Sequence, residues 1–275
     1  MDATGNEPLS PALSPEYRGE GVRTSSRRGC QFVSLPRKTG SAMVITIDGP
    51  AGTGKSTVAL ALAERLGFDF LDTGAMYRAI GLAALRRQAN LSDARELAFI
   101  AKHAHIEFDW SKHPPTVTMG GEDVTHLLRS GEATRAASFV AIVPAIRELL
   151  VTQQQKIGLD RGNLVTEGRD QGTVVFPNAE FKFYLDATPQ ERARRRVAQL
   201  RARGEIVDQE EVLKQIVARD QRDASRAVGP LAVAKDARVV DSTLMTEDQV
   251  VDHIVAIVQG PGRLIDQAAS AGTGA

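Results

Sequence analysis

Cysteine is almost missing from this chain: Cys30 is the single one in 275 residues. That excludes an internal disulfide and a cysteine-rich zinc site. Histidine is scarce too; the five present are scattered and form no H-E-x-x-H pair. Aromatic residues make up 5% and are not interleaved with the basic stretches, unlike the stacking platforms that bind single-stranded nucleic acid. Charge of one sign is not in excess, since 34 Lys and Arg balance 34 Asp and Glu. Proteins that coat nucleic acid or an anionic membrane carry a basic surplus, so neither is expected as a partner. No apolar run approaches the roughly 18–20 residues of a membrane span, and no secretory signal is legible. The expectation is a soluble, cytoplasmic protein in a reducing compartment.

What is present divides into two unusual ends and an ordinary middle. Residues 1–42 are rich in Ser, Pro, Gly and Arg without apolar periodicity, and are expected to be a disordered extension. Met43, just before the first strand, is a candidate alternative start. Residues 261–275 read as a second disordered tail. Between them, short β-branched apolar runs recur at Met43–Asp48, Asn163–Glu167, Phe181–Asp186 and Arg238–Asp241, which suit parallel strands buried on both faces. Helical patterns follow at Ser56–Leu66, Pro189–Arg203 and Glu247–Val258. Thr188-Pro189-Gln190-Glu191 supplies an N-cap, a proline at N1 and a glutamate at N3, and Asp208–Glu211 repeats the capping pattern. The alternation predicts a three-layer α/β fold. It breaks at Ile106–Trp110, Thr116–Met119 and Glu122–Thr125, separated by Pro114-Pro115 and Gly120-Gly121, which read as a small antiparallel insertion.

The sharpest motif is Gly49-Pro50-Ala51-Gly52-Thr53-Gly54-Lys55-Ser56, which fits G-x-x-x-x-G-K-S/T at every position. It follows an apolar strand and opens an alanine-rich helix, the setting of a phosphate-binding P-loop. Gly49 through Thr57 are the predicted ATP and phosphate contacts: Lys55 would reach the β- and γ-phosphates, and Ser56 would bind Mg²⁺. GTPases, motor ATPases and small-molecule kinases share this motif. No N-K-x-D guanine motif and no apolar strand ending in Asp-Glu follow it.

Arginines cluster instead in the second half. Ala187–Arg226 holds nine Arg and one Lys against seven acids. The run Arg194, Arg195, Arg196 precedes Arg201, Arg203 and Gly204, and a hinged Arg-rich segment of this kind can close over a triphosphate. Arg219, Arg222, Asp223 and Arg226 are spaced to share one helix face, suiting a ligand that bears phosphate and hydroxyls, or else a plain ion-paired surface. Two further pieces sit at strand ends or helix starts, where open α/β sheets bind ligands. Leu71-Asp72-Thr73-Gly74-Ala75-Met76-Tyr77-Arg78 carries Arg78 one turn into a helix, with Asp72 and Thr73 equally readable as an N-cap. Glu167-Gly168-Arg169-Asp170 offers a guanidinium for phosphate and a carboxylate for an exocyclic amine such as cytosine N4. Another metabolite kinase, or an RNA-associated protein regulated by ATP, remains open on these residues alone.

Taken together, ITIDGPAGTGKST, LDTGAMYRA, RAASFVAIVPAIRELL, EGRDQGTVVFP, FYLDATPQERARRR, RDQRDASRAVGPL and VVDST resemble the bacterial-type cytidylate kinases of the nucleoside monophosphate kinase superfamily. The resemblance runs from about Val44 to Val258. It implies a P-loop NTPase fold with a five-stranded parallel sheet, in a domain spanning 43–260. The core would be 43–73 and 161–258, the monophosphate-binding insertion about 74–160, and the lid about 192–208. It implies ATP with Mg²⁺ as donor, CMP or dCMP as acceptor, and a monomer. By the same resemblance the monophosphate site draws on Thr73, Arg78, Ser138, Arg147, Arg169, Asp170, Arg219, Asp223 and Arg226. Arg78 and Arg169 would hold mainly the phosphate, Arg219 and Asp223 the sugar, and Ser138, Arg147, Asp170 and Arg226 the base. Lys55, Arg169, Arg219 and the lid residue Arg195 would serve catalysis. Thr73 and Glu167 stand where serine and aspartate also occur in the family.

Overall fold

The protein was analysed as a computed structural model that describes residues 42–260. The expectations for the N-terminal extension up to residue 41 and for the tail from residue 261 lie outside these residues.

The chain opens with β1 (Val44–Asp48), α1 (Lys55–Leu66), β2 (Asp69–Asp72), α2 (Thr73–Arg86) and α3 (Ala94–His103). The short strands β3 (Ile106–Asp109), β4 (Thr116–Met119) and β5 (Glu122–Asp123) come next, then α4 (Gly131–Val140) and α5 (Pro144–Arg161). The second half contains β6 (Leu164–Glu167), β7 (Phe181–Asp186), α6 (Pro189–Arg201), α7 (Gln209–Ala224), β8 (Arg238–Asp241) and α8 (Glu247–Gln259).

Five strands pair in the order β2-β6-β1-β7-β8, all parallel. The apolar runs behave as their composition dictates. All four residues of β6 are buried, and its neighbours Leu164 and Val165 point into different cores. One core joins Ile45, Ile47, Leu62, Phe183 and Leu185 to Ile254 on α8. The other joins Leu71, Met76 and Ile80 to Ile146 and Leu150 on α5. Alternation of side chains across the pleat thus covers both faces of the sheet with helices.

One sheet strand, β2, has no apolar run of its own to mark it. It forms because Gly67 takes a left-handed turn (φ 67°) that ends α1 and sends the chain back along β6. The predicted antiparallel insertion is present as the separate sheet β3-β4-β5. Both cap patterns hold: Glu191 N donates to Thr188 Oγ1 at 3.4 Å, and Glu211 N to Asp208 Oδ2 at 3.0 Å. Among the described residues no single helix is long and apolar enough to cross a membrane.

The register lines up the strand ends. Asp72 pairs with Glu167, and Asp48 with Tyr184, so the carboxyl edge of the sheet is a row of polar groups. After β6 the chain coils into a π-helical turn, Gln171–Val175. Its first two amides, Gln171 N and Gly172 N, donate to Asp48 at 2.8 and 2.7 Å, tying that turn to the end of β1.

Candidate active site

The loop Gly49–Gly54 links β1 to α1. A side chain at Gly49 would place its Cβ 2.1 Å from Leu185 O, so only glycine lets the loop leave the sheet here. Gly54 precedes the helix in a left-handed conformation, φ 88°. The amides of Lys55, Ser56 and Thr57 lie before the first helical bond, Val58 N to Gly54 O at 3.0 Å. No acidic residue occupies that first turn, which leaves the positive end of α1 free for an anion. Ser56 and Thr57 are exposed. Lys55 is buried, its Nζ folded onto Pro50 O at 2.6 Å. Burial, and then the charge of Arg169, lowers its pKa to about 7.

Beside the loop, Ser56 Oγ donates to Glu167 Oε1 at 2.8 Å, and Thr73 Oγ1 to Glu167 O at 2.7 Å. Asp72 is the N-cap of α2, accepting from Ala75 N at 2.9 Å, and it also accepts from Arg78 Nη2 at 2.6 Å. Burial and the adjacent Asp72 charge push Glu167 up to about 7. Burial would raise Asp72 as well, but Arg78 and its hydrogen bonds outweigh that and hold it below the usual carboxylate range. Among the described residues no cluster of three or more His, Cys, Asp or Glu is disposed to hold a metal. Ser56 and Glu167 are hard oxygen donors at the start of α1, a pair that suits Mg²⁺ carried in with phosphate.

Close to Lys55, the arginines converge on two buried carboxylates. Asp223 accepts from Arg169 Nε at 2.9 Å, pairs with Arg226 and has Arg219 Nε at 4.0 Å. Burial opposes its charge, but Arg169, Arg226 and Arg219 together keep it below its ordinary value. Burial and Arg169 bring Arg219 down to about 10. Asp170 pairs with Arg147, and that guanidinium lies 5.8 Å from the Tyr77 ring centroid. The Nε atoms of Arg78, Arg147, Arg219 and Arg226 are buried without a hydrogen-bond partner among the described residues. Four guanidinium groups with unmade bonds, and three cations around one carboxylate, form a site short of negative charge.

Not every predicted residue joins this cluster. Ser138 lies on α4, donating to Thr134 O at 3.4 Å, with no hydrogen bond to the arginines. Arg222 is exposed, and α7 ends at Ala224, so Arg226 reaches Asp223 from beyond the helix rather than along its face. Of the three consecutive arginines, Arg194 is exposed and pairs with Glu191. Arg195 reaches the phosphate loop, with Nη1 3.4 Å from Thr53 O and 3.1 Å from Ser242 Oγ.

Three participants escaped the sequence reading. Arg192 and Asp220 both grip the phosphate loop at Ala51. Asp48 anchors the turn after β6. Arg192 stands one helical turn before Arg195 and Arg196, and that spacing is the signal that marks it out.

A cradle for one phosphate, with guanidinium groups suited to another close to its lysine, fits a site where a phosphoryl group passes between two anionic ligands. The fold and the site are those of a P-loop phosphotransferase. Within that class the chain belongs to the cytidylate kinase family, which residues 45–260 match. Cytidylate kinase 1 of Haemophilus influenzae is 44% identical over 220 residues, covering 80% of this chain and 95% of that protein. The cytidylate kinase of Pelotomaculum thermopropionicum is 47% identical over 220 residues, covering 80% of this chain and 97% of that protein. Among solved structures, shikimate kinase from Bacteroides thetaiotaomicron is similar at 14% identity and a TM-score of 0.42, over 80% of this chain and 100% of that chain.

Proposed function

We propose that the protein transfers the γ-phosphoryl group of ATP to CMP and dCMP, giving ADP and CDP or dCDP. The observation that carries this reading is the pairing of an intact phosphate loop with the Arg169–Asp223–Arg226 and Arg147–Asp170 groups. The first group suits a phosphorylated sugar. The second offers a carboxylate to an amine-bearing base.

In this reading the loop from Gly49 to Thr57, with Lys55, holds the donor phosphates. Arg78 and Arg169 hold the acceptor phosphate, Arg219 and Asp223 the sugar, and Arg147, Asp170, Arg226 and Ser138 the base, with Thr73 beside them. The acceptor oxygen is already anionic at neutral pH, so no strong general base is needed. The chain's task is to align two phosphates, neutralise their repulsion and exclude water. Ser56, with Glu167 behind it, would hold Mg²⁺, which would supply further charge neutralisation for the donor phosphates.

Residues 43–73 and 161–258 form the core in this scheme, about 74–160 the acceptor-binding part and about 192–208 the lid. Arg203 supports that division. It stands beside Gly204 (φ 80°) and donates to Arg129 O at 3.2 Å, bridging from the end of the lid helix to the turn before α4. Arg192 and Arg195 are the lid residues that reach the donor loop, at Ala51 O and Thr53 O.

The test is ADP release from ATP·Mg²⁺ with CMP, dCMP, UMP and AMP as acceptors. CMP and dCMP should far outpace the other two. Equal rates with AMP, or none with any acceptor, would overturn the reading.

A further inference from the structure

Asp220 stands on α7 directly after Arg219 and three residues before Asp223, yet its contacts are with the other nucleotide's site. Its Oδ1 accepts from Ala51 N at 3.1 Å, and its Oδ2 pairs with Arg192 on the first turn of α6. Arg192 is buried. Its Nη1 donates to Ala51 O at 3.0 Å and its Nε to Ala187 O at 3.0 Å. Both polar groups of Ala51 are therefore held by side chains, one from each helix. The next residue, Gly52, lies against α6, where an added Cβ would sit 3.3 Å from both Arg192 Cβ and Arg192 O.

An amide cradle binds phosphate well only when its backbone is fixed beforehand, because ordering it on binding costs free energy. A carboxylate pointing at the loop is unfavourable beside an incoming triphosphate unless its charge is matched, and Arg192 matches it. The same helix carries Arg219 and Asp223 into the acceptor cluster. One helix of 16 residues thus grips the donor loop on one side and the acceptor arginines on the other.

We propose that Asp220 is a positioning residue that braces the phosphate loop at Ala51 and links it through α7 to the acceptor cluster, so that each nucleotide tightens the other's binding. The proposal rests on the acceptor site described above. It assigns the communication to one carboxylate that touches neither nucleotide. Coupling of this kind is reciprocal: whatever factor the donor adds to acceptor affinity, the acceptor adds to donor affinity.

Calorimetric titration with CMP, with and without saturating ADP·Mg²⁺, measures the coupling, since this pair has no γ-phosphoryl group to transfer. In the wild type ADP·Mg²⁺ should tighten CMP binding about fivefold or more, the lower range of such couplings. Asp220→Ala should leave the affinity for CMP alone within about twofold and remove most of the enhancement. Asp220→Asn, which keeps an acceptor for Ala51 N but loses the charge opposite Arg192, should fall between. If Asp220→Ala does not fold, Arg192→Lys carries the same comparison. Undiminished enhancement in these variants overturns the proposal. So does a parallel loss of CMP affinity without ADP, which would make Asp220 a support of the acceptor cluster alone. A wild-type protein that binds ADP·Mg²⁺ but never CMP would instead overturn the acceptor assignment on which the proposal stands.

Discussion

Arg169 donates through Nε to Asp223 Oδ2 at 2.9 Å, joining the loop after β6 to the last turn of α7. The bond fixes the direction of the guanidinium and leaves Nη2 without a hydrogen-bond partner among the described residues, while Nη1 donates to Gly168 O at 3.0 Å. A fork aimed in this way suits the charge spread over a phosphoryl group in flight. Arg169→Ala should therefore lower kcat by about a thousandfold, the lower range for arginines that stabilise such transition states. Arg169→Lys, a point charge without the fork, should recover only part of it. Asp223 keeps Arg226 and Arg219 in both variants, so the melting temperature should change little. Turnover of Arg169→Ala within about threefold of the wild type would remove this residue from the reaction.

Base discrimination should depend on Asp170. Its carboxylate is buried and paired with Arg147, which lies against Tyr77, so its orientation is fixed by packing. A fixed acceptor favours cytosine, whose position 4 bears an amine, over uracil, whose position 4 is itself an acceptor. Asp170→Asn preserves shape but adds donors. The ratio of kcat/KM for CMP over UMP should fall by about tenfold, the lower range for one lost recognition pair. An unchanged ratio, measured with both acceptors under identical conditions, would place base reading elsewhere.

Much of this arrangement is legible in the sequence, and the parts that are not share a cause. The phosphate loop, the capped starts of α6 and α7 and the buried strands are local features, set by spacing and composition within a few residues. Arg219 and Asp223 are legible because helical spacing places them together. Arg226 joins them for a different reason: the chain leaves α7 at Ser225 and turns back, with Leu231 N bonded to Asp223 O at 2.8 Å. Arg192, Asp220 and Asp48 act through partners 28 to 169 positions away. No periodicity encodes such distances; only the sheet order and the packing of α6 on α7 bring those partners together. The strand β2 is hidden for a related reason, since its pairing with β6 rather than its own composition makes it a strand.

Ser56 offers a test of how the metal is held. Its hydroxyl lies 2.8 Å from Glu167 Oε1, and the residue is exposed. With Mg²⁺ bound through that hydroxyl, Ser56→Ala should raise the Mg²⁺ concentration for half-maximal rate by about tenfold or more, whereas Ser56→Thr should stay near the wild type. The rate is to be followed against free Mg²⁺ at saturating ATP and CMP. Chelation with EDTA should abolish turnover in all three proteins. An unaltered Mg²⁺ requirement in Ser56→Ala would take the hydroxyl out of the metal's shell.

Asp48 makes the stability of the fold depend on pH in an uncommon direction. Burial raises its pKa from 3.8 to about 6, against the opposing pull of the Gly172 and Gln171 amides. A carboxyl group that binds its proton more tightly when folded gives stability that is complete below the unfolded pKa. That stability is lost as pH rises through the folded one. From about pH 4 to pH 6 Asp48 should therefore cost the protein stability, by about 3 kcal/mol in all at 1.36 kcal/mol for each tenfold change in proton affinity. Asp48→Asn has no proton to lose. The difference in unfolding free energy, wild type minus Asp48→Asn, should then fall by roughly 1 kcal/mol between pH 5 and pH 7 in urea titrations. Other titrating groups change both proteins alike and cancel in the difference. A difference that is flat across this range would mean that Asp48 is already ionised at pH 5, with the two amides of the π-helical turn outweighing its burial.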